Sequence, residues 1–138
     1  MSKTWAYKLF RVGRIPGQLK AQLEREGVLL QEEGISGSTT YLNFHRPGAY
    51  SSWRREWYSA SLTITQTRVV GLAASHPIIN VPFTDTRLQR LHIAVDNGEV
   101  LLIAFDAGLF HTDWSGTIEY RFRTPQAQAF WAMLAARR

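Results

Sequence analysis

The chain has 138 residues, with 16 Lys and Arg against 11 Asp and Glu for a net charge of +5, and no cysteine. That length suits one domain around one core, and 45% hydrophobic with 20% charged residues excludes a disordered chain. The lack of cysteine excludes a disulfide framework and a thiolate zinc site, and the longest apolar run, residues 100–105, falls far short of the ~20 residues of a membrane-crossing helix.

Residues 1–27 read as a basic arm followed by a short helix. Lys3, Lys8, Arg11, Arg14 and Lys20 all precede the first carboxylate, Glu24, so the whole positive excess can be assigned to this part of the chain. Trp5, Tyr7 and Leu9 alternate, as in an edge strand, but no continuous apolar stretch or small-residue cleavage site follows, and the expected location is cytoplasmic. Pro16-Gly17 punctuates the chain. Residues 18–26 are good helix formers with Leu19 and Leu23 four apart, closed by Gly27 as the C′ residue, and such a thin apolar stripe predicts a helix lying on the surface of a sheet.

Strands separated by turn residues follow. Residues 28–32 and 39–45 read as a hairpin across Gly34, Ser36, Gly37 and Ser38, with Leu42 and Phe44 on one face and Tyr41 and Asn43 on the other. The stretch 45–55, which contains Pro47-Gly48, reads as a loop dense in cationic and aromatic side chains. Residues 56–65 resume as a strand with Tyr58, Ala60, Leu62 and Ile64 facing one way, and Gln66-Thr67 turns it into 68–73. Residues 78–83 are extended but carry Pro82, which demotes them to an edge or a bulge. Leu91, Ile93 and Val95 form an inward face, and Asn97-Gly98 is the strongest hairpin signal in the chain, leading into 99–106.

The last stretch organises the rest. Ile118, Tyr120 and Phe122 alternate with Glu119, Arg121 and Arg123, giving a strand with one buried face. Thr124 reads as an N-cap with Pro125 at the first helical position. Ala127, Phe130, Trp131 and Leu134 then recur at helical spacing, so the helix is expected to plug a β-structure with all four of them.

About seven antiparallel strands joined by hairpins, then one helix, is the order of a pleckstrin-homology-like barrel. The run Ser61-Leu62-Thr63-Ile64-Thr65-Gln66-Thr67-Arg68-Val69-Val70 resembles the strand-turn-strand segment of bacterial PH and GRAM-type domains, followed as there by a short Ile/Pro segment and a further hairpin. The resemblance covers residues 28–138 and leaves 1–27 as an addition. It implies a mainly β protein with a C-terminal α-helix, in which about seven strands form an antiparallel half-open barrel or sandwich, here with a short extra N-terminal helix. It also implies a non-catalytic role in binding lipids, peptides or protein partners. Phosphoinositide-binding members use a basic loop between their first two strands, and the loop read here, Glu32-Glu33-Gly34-Ile35-Ser36-Gly37, is acidic, so no binding residue carries over.

The candidate binding residues are therefore Arg46, Trp53, Arg54 and Arg55, in a segment 45–58 that also holds Trp57 and Tyr58. Arginine offers a planar fork to phosphate or carboxylate, and exposed Trp stacks on rings or lies at a membrane interface. The expected partner is an anionic lipid surface or a protein, and the alternative is a homo-oligomeric assembly subunit that uses its sheet edges and N-terminal arm. A nucleic-acid partner is disfavoured because the usual motifs are missing. Catalytic constellations do poorly. His111 and Asp113 stand two apart near Asp106, Trp114 and Ser115, but no nucleophile elbow accompanies them. The four histidines lack metal-ligand spacing, and no glycine-rich phosphate loop is present, so no cofactor and no metal is expected.

Overall fold

The computed structural model describes residues 14–138, so the alternating Trp5, Tyr7 and Leu9 and most of the basic arm lie outside the described residues. Helix α1 (Gly17–Glu26) leads into β1 (Val28–Arg46), β2 (Ala49–Thr65), β3 (Arg68–Ala73) and β4 (His76–Pro82). A 3-10 turn (Thr86–Arg90) then precedes β5 (His92–Asp96), β6 (Val100–Asp106), β7 (Ser115–Arg123) and helix α2 (Ala127–Arg137). All pairings are antiparallel, and the strand order is β4-β3-β2-β1-β7-β6-β5. This is the expected mainly β architecture, a PH-like half-open barrel in which β4 and β5 are the two edges.

The barrel encloses one large core, to which β2 contributes Ala60, Leu62 and Ile64, β6 contributes Leu101 and Ile103, and β7 contributes Ile118, Tyr120 and Phe122. Between β5 and β6, Asn97 (φ 52°) and Gly98 (φ 74°) both take positive φ, and the Glu99 N–H donates to the Asp96 carbonyl, as the Asn-Gly signal predicts. Pro82 ends the edge strand β4, where a missing backbone donor disturbs no central ladder.

Helix α1 lies on the outer face of the sheet, as its thin stripe predicts, with Leu23 packed in a small cluster with Ile15, Val70 and Leu72. Its end is pinned chemically. Glu26 Oε1 accepts from the hydroxyls of Thr65 and Thr67 and from Arg68 Nε, and Glu26 Oε2 lies 2.8 Å from an Arg68 guanidinium nitrogen. The Arg68 hydrogen bond outweighs burial and holds the Glu26 carboxyl below its ordinary value.

Three expectations are corrected. First, residues 28–32 and 39–45 do not form a hairpin but are two ends of one 19-residue strand. Gly34 (φ 73°) absorbs a register shift between Glu33 and Ile35, so the chain bulges instead of turning. Gly37 continues the strand because its backbone passes close to β2: a Cβ there would sit 2.8 Å from both the Ala60 Cβ and the Tyr58 ring. The acidic stretch 32–37 is thus mid-strand, and the connection between the first two strands is Pro47-Gly48, flanked by Arg46 and Ala49, which pair. Second, Tyr41 and Phe44, assigned to opposite faces, touch at 4.9 Å between ring centroids, because Asn43 is in the left-handed region (φ 49°) and breaks the alternation. Third, the stripe on α2 is narrower than expected. Ala127, Phe130 and Leu134 are fully buried, but Trp131 is 37% exposed at the rim and donates its Nε1–H to the Ile93 carbonyl at 3.2 Å. Thr124 is not the N-cap and Pro125 is not the first helical residue: Thr124 Oγ1 accepts from the Gln126 N–H at 3.0 Å in the turn before the helix, Gln126 stands at the cap without a side-chain hydrogen bond, and the regular helix starts at Ala127.

Candidate binding surface

The stretch 45–55 is no loop. It comprises the tips of β1 and β2 with a two-residue turn between them, so its side chains alternate between two faces. The four sequence-predicted residues are divided accordingly. Arg46 is exposed beside the turn at the tip. Arg54 lies over the Tyr41 ring at 4.6 Å and 3.7 Å from the Glu56 carboxylate. Trp53 and Arg55 share the other, outer face, where Trp57 joins them two residues on.

Those three make a continuous row. The Arg55 guanidinium carbon stands 5.3 Å from the Trp53 ring centroid and 5.8 Å from that of Trp57, within cation–π range of both. Its Nε donates to Thr40 Oγ1 at 2.7 Å, which fixes the head group between the rings. The tryptophans remain 58% and 68% exposed, so two large apolar rings face solvent on either side of a held cation.

The floor beside this row is β1. On its outer face β1 carries short hydroxyl side chains, Ser36, Ser38 and Thr40, between the long side chains of β2 and those of β7. Ser38 has Trp57 as its cross-strand partner on one side and Arg121 on the other, and its buried Oγ has no hydrogen-bond partner among the described residues. Arg121 donates to Glu119 at 2.9 Å and approaches Thr40 Oγ1 at 3.5 Å, while Arg123 lies 3.9 Å from Glu99 in an exposed, weak pair. The result is a shallow groove of about 60 Å³ bordered by Trp57, Arg121 and Arg123. The face sets three arginines against two carboxylates, with Arg55 and Arg121 held by hydrogen bonds, Arg123 largely free and the rings exposed. It presents guanidinium groups to an anion beside two apolar rings.

Under the row, on the inner face, Tyr58 shares a 2.7 Å hydrogen bond with Thr39, and burial pushes the Tyr58 phenol far above its ordinary value, so it stays neutral. His111 stacks on Trp114 at 3.7 Å and makes no hydrogen bond to Asp113 or Ser115. Among the described residues no group of three or more His, Asp or Glu could hold a metal ion, and no helix is long and apolar enough to cross a membrane.

The sequence reading marks the segment 45–58 but leaves Trp57 out of the candidate residues and does not reach Arg121, Arg123 or the hydroxyl floor. The missing signal was parity: once residues 49–65 are one strand, Trp53, Arg55 and Trp57 fall on one face and Arg54 on the other. No protein-family model matches the chain, and a comparison with curated proteins finds no match either.

Proposed function

We propose that the protein is a non-catalytic, PH-like binding module that holds an anionic surface against the outer face of the β1–β2 ribbon. The observation that carries this reading is the Trp53–Arg55–Trp57 row, a guanidinium held by Thr40 between two rings that are both more than half exposed. Arg121 and Arg123 extend the same face, and exposed tryptophans beside arginines suit the boundary between lipid head groups and acyl chains. The connection between the first two strands is the Pro47-Gly48 turn beside Arg46, so the acidic residues 32 and 33 do not stand in the way of an anion at the ribbon tip.

Co-sedimentation with vesicles containing phosphatidylserine, at low and at physiological salt, tests it. Binding should weaken with salt, since exposed charges are screened over ~8 Å at 0.15 M. Arg55→Ala should lose about 1 kcal/mol, the scale for one basic residue at an anionic membrane, and Arg55→Ala with Trp57→Ala should lose more, while the exposed Arg90→Ala should bind as the parent does. Absence of binding to anionic vesicles at low salt, or equal binding to neutral ones, would sink the reading.

A further inference from the structure

β2 is much longer than the strand beside it. β3 pairs with β2 only from Ala60 onward, and β1 covers the other side of β2 along its whole length. Among the described residues, the 49–58 part of β2 therefore has a neighbour strand on one side only. An edge of this kind presents a row of unpaired backbone donors and acceptors, and proteins usually blunt such edges with a proline, a bulge, charged side chains or by keeping them short; the charges here, Arg54, Arg55 and Glu56, are of both signs and can oppose one another across a pair. Here β2 runs without a register shift from Ala49 to Ala60, contains no proline, and carries the exposed Tyr50, Trp53 and Trp57.

We propose that residues 52–58 of this edge pair with the same residues of a second copy of the chain, antiparallel and centred on Arg55, the stretch that neither β3 nor the Ala74 N–H to Ser59 contact covers. The register follows from backbone and charge together. Two identical strands present the same alternate set of backbone groups along this edge, so in an antiparallel pair residues of like parity face each other. Centring on Arg54 would set Arg54 against itself, and centring on Glu56 would set Glu56 against itself. Centring on Arg55 sets Arg54 against Glu56 of the partner subunit, twice by symmetry, and Trp53 against Trp57 of the partner subunit, also twice. The segment Trp53-Arg54-Arg55-Glu56-Trp57 is thus self-complementary in one register alone. Arg54 and Glu56 are about half exposed; they are joined by a 3.7 Å contact, and each also touches Tyr41, Arg54 over its ring and Glu56 accepting from its hydroxyl at 3.5 Å, so their exposed sides are what a partner can reach. The one unfavourable contact is Arg55 against its own copy on the axis. It is tempered because each Arg55 is already directed to Thr40 of its own β1 and to its two tryptophans.

Sedimentation equilibrium on the full chain tests the proposal by charge exchange. The parent should be a concentration-dependent dimer. Arg54→Glu places two carboxylates at the paired positions and Glu56→Arg places two cations there, so each variant alone should be monomeric. Mixed in equal amounts, the two should recover the dimer, since every paired position then opposes unlike charges; Arg54→Glu with Glu56→Arg in one chain should recover it as well. Both positions are on the surface, and circular dichroism with the thermal midpoint verifies that the variants fold. A parent that stays monomeric at all concentrations overturns the proposal. So does a single variant that dimerises as the parent does, or a mixture that remains monomeric. None of these variants alters Trp53, Arg55 or Trp57, so vesicle binding that persists in the monomeric variants leaves the proposed function standing while the dimer stands or falls separately.

Discussion

Replacing Phe130 by alanine should destabilise the protein by about 3–5 kcal/mol, the range for truncating a buried aromatic side chain, because the transfer of the ring and the cavity left behind both count. Phe130 is fully buried in the main core, between Ala127 one turn before and Leu134 one turn after, all three with no exposed surface. Its neighbour Trp131 is the larger residue and on composition alone the better candidate for a plug, yet it is 37% exposed and its one polar contact is the hydrogen bond to Ile93. Trp131→Ala should cost about 1 kcal/mol for that hydrogen bond plus a partial burial term, and Trp131→Phe little more than the hydrogen bond. Against a typical domain stability of roughly 5–15 kcal/mol, the Phe130 change removes a large share and the Trp131 change a smaller one. Urea unfolding followed by far-UV circular dichroism separates them: with a slope of about 1–3 kcal/mol per molar, Phe130→Ala should move the midpoint down by more than a molar unit without changing the slope. Equal shifts, or a larger one for Trp131→Ala, would mean that α2 presents a face about 100° away from the one described, the angle between successive residues on a helix.

Glu26→Gln should weaken the protein by about 1.5–3 kcal/mol at neutral pH, the range for hydrogen bonds to a charged group, since Thr65, Thr67 and Arg68 all converge on that carboxylate. Because the folded-state pKa is depressed, this stabilisation is present above the unfolded value of about 4.3 and is lost as pH falls through the lower folded value. The thermal midpoint of the glutamine variant should therefore fall less steeply on acidification than the parent's, and parallel curves would refute the assignment. Gly116→Ala should destabilise by more than the ~1–3 kcal/mol of a strained backbone position: its φ is 100°, and a Cβ would lie 2.7 Å from the Leu42 carbonyl oxygen and closer still to that of Asn43. Gly98→Ala, with positive φ but open space around it, is the control, and its thermal midpoint should fall less.

Most of the fold was legible because most of it is set locally. Asn97-Gly98 fixes a turn by its own φ preference, Pro82 restricts its strand to an edge, and the alternation of Ile118, Tyr120 and Phe122 needs only one buried face to be read. The middle of β1 was not legible. Gly34, Ser36, Gly37 and Ser38 have the composition of a turn, but Gly34 is taken up in a bulge and only pairing on both sides, with β2 and with β7, keeps residues 36–38 extended. Those pairings are remote in sequence and leave no local trace. The local structure of the candidate segment was misread for the same reason. Taking 45–55 as a loop made Arg46, Trp53, Arg54 and Arg55 equivalent, whereas a strand separates Arg54 from Arg55 by a whole face. Arg121 and Arg123 read correctly as the outward side of the last strand, but that β7 lies next to β1, and so faces the same groove as Trp57, is a fact of topology.

The disparity in strand length underlies both proposals. β1 and β2 have 19 and 17 residues, while β3 has 6, so the ribbon outruns its neighbour and exposes a face and an edge at once. Closing a sheet into a barrel does not need that excess, and two exposed tryptophans on it cost solubility without adding to the core. On the pairing proposed, the two edges meet and the two Trp53–Arg55–Trp57 rows become one platform, in which the arginines face each other across the symmetry axis. Like charges directly opposite destabilise a strand pair, and an anion between them removes that cost. Anion and second copy then favour each other by the same factor, as linkage requires, so the anionic partner and the dimer are complementary readings of one ribbon and not competitors for it.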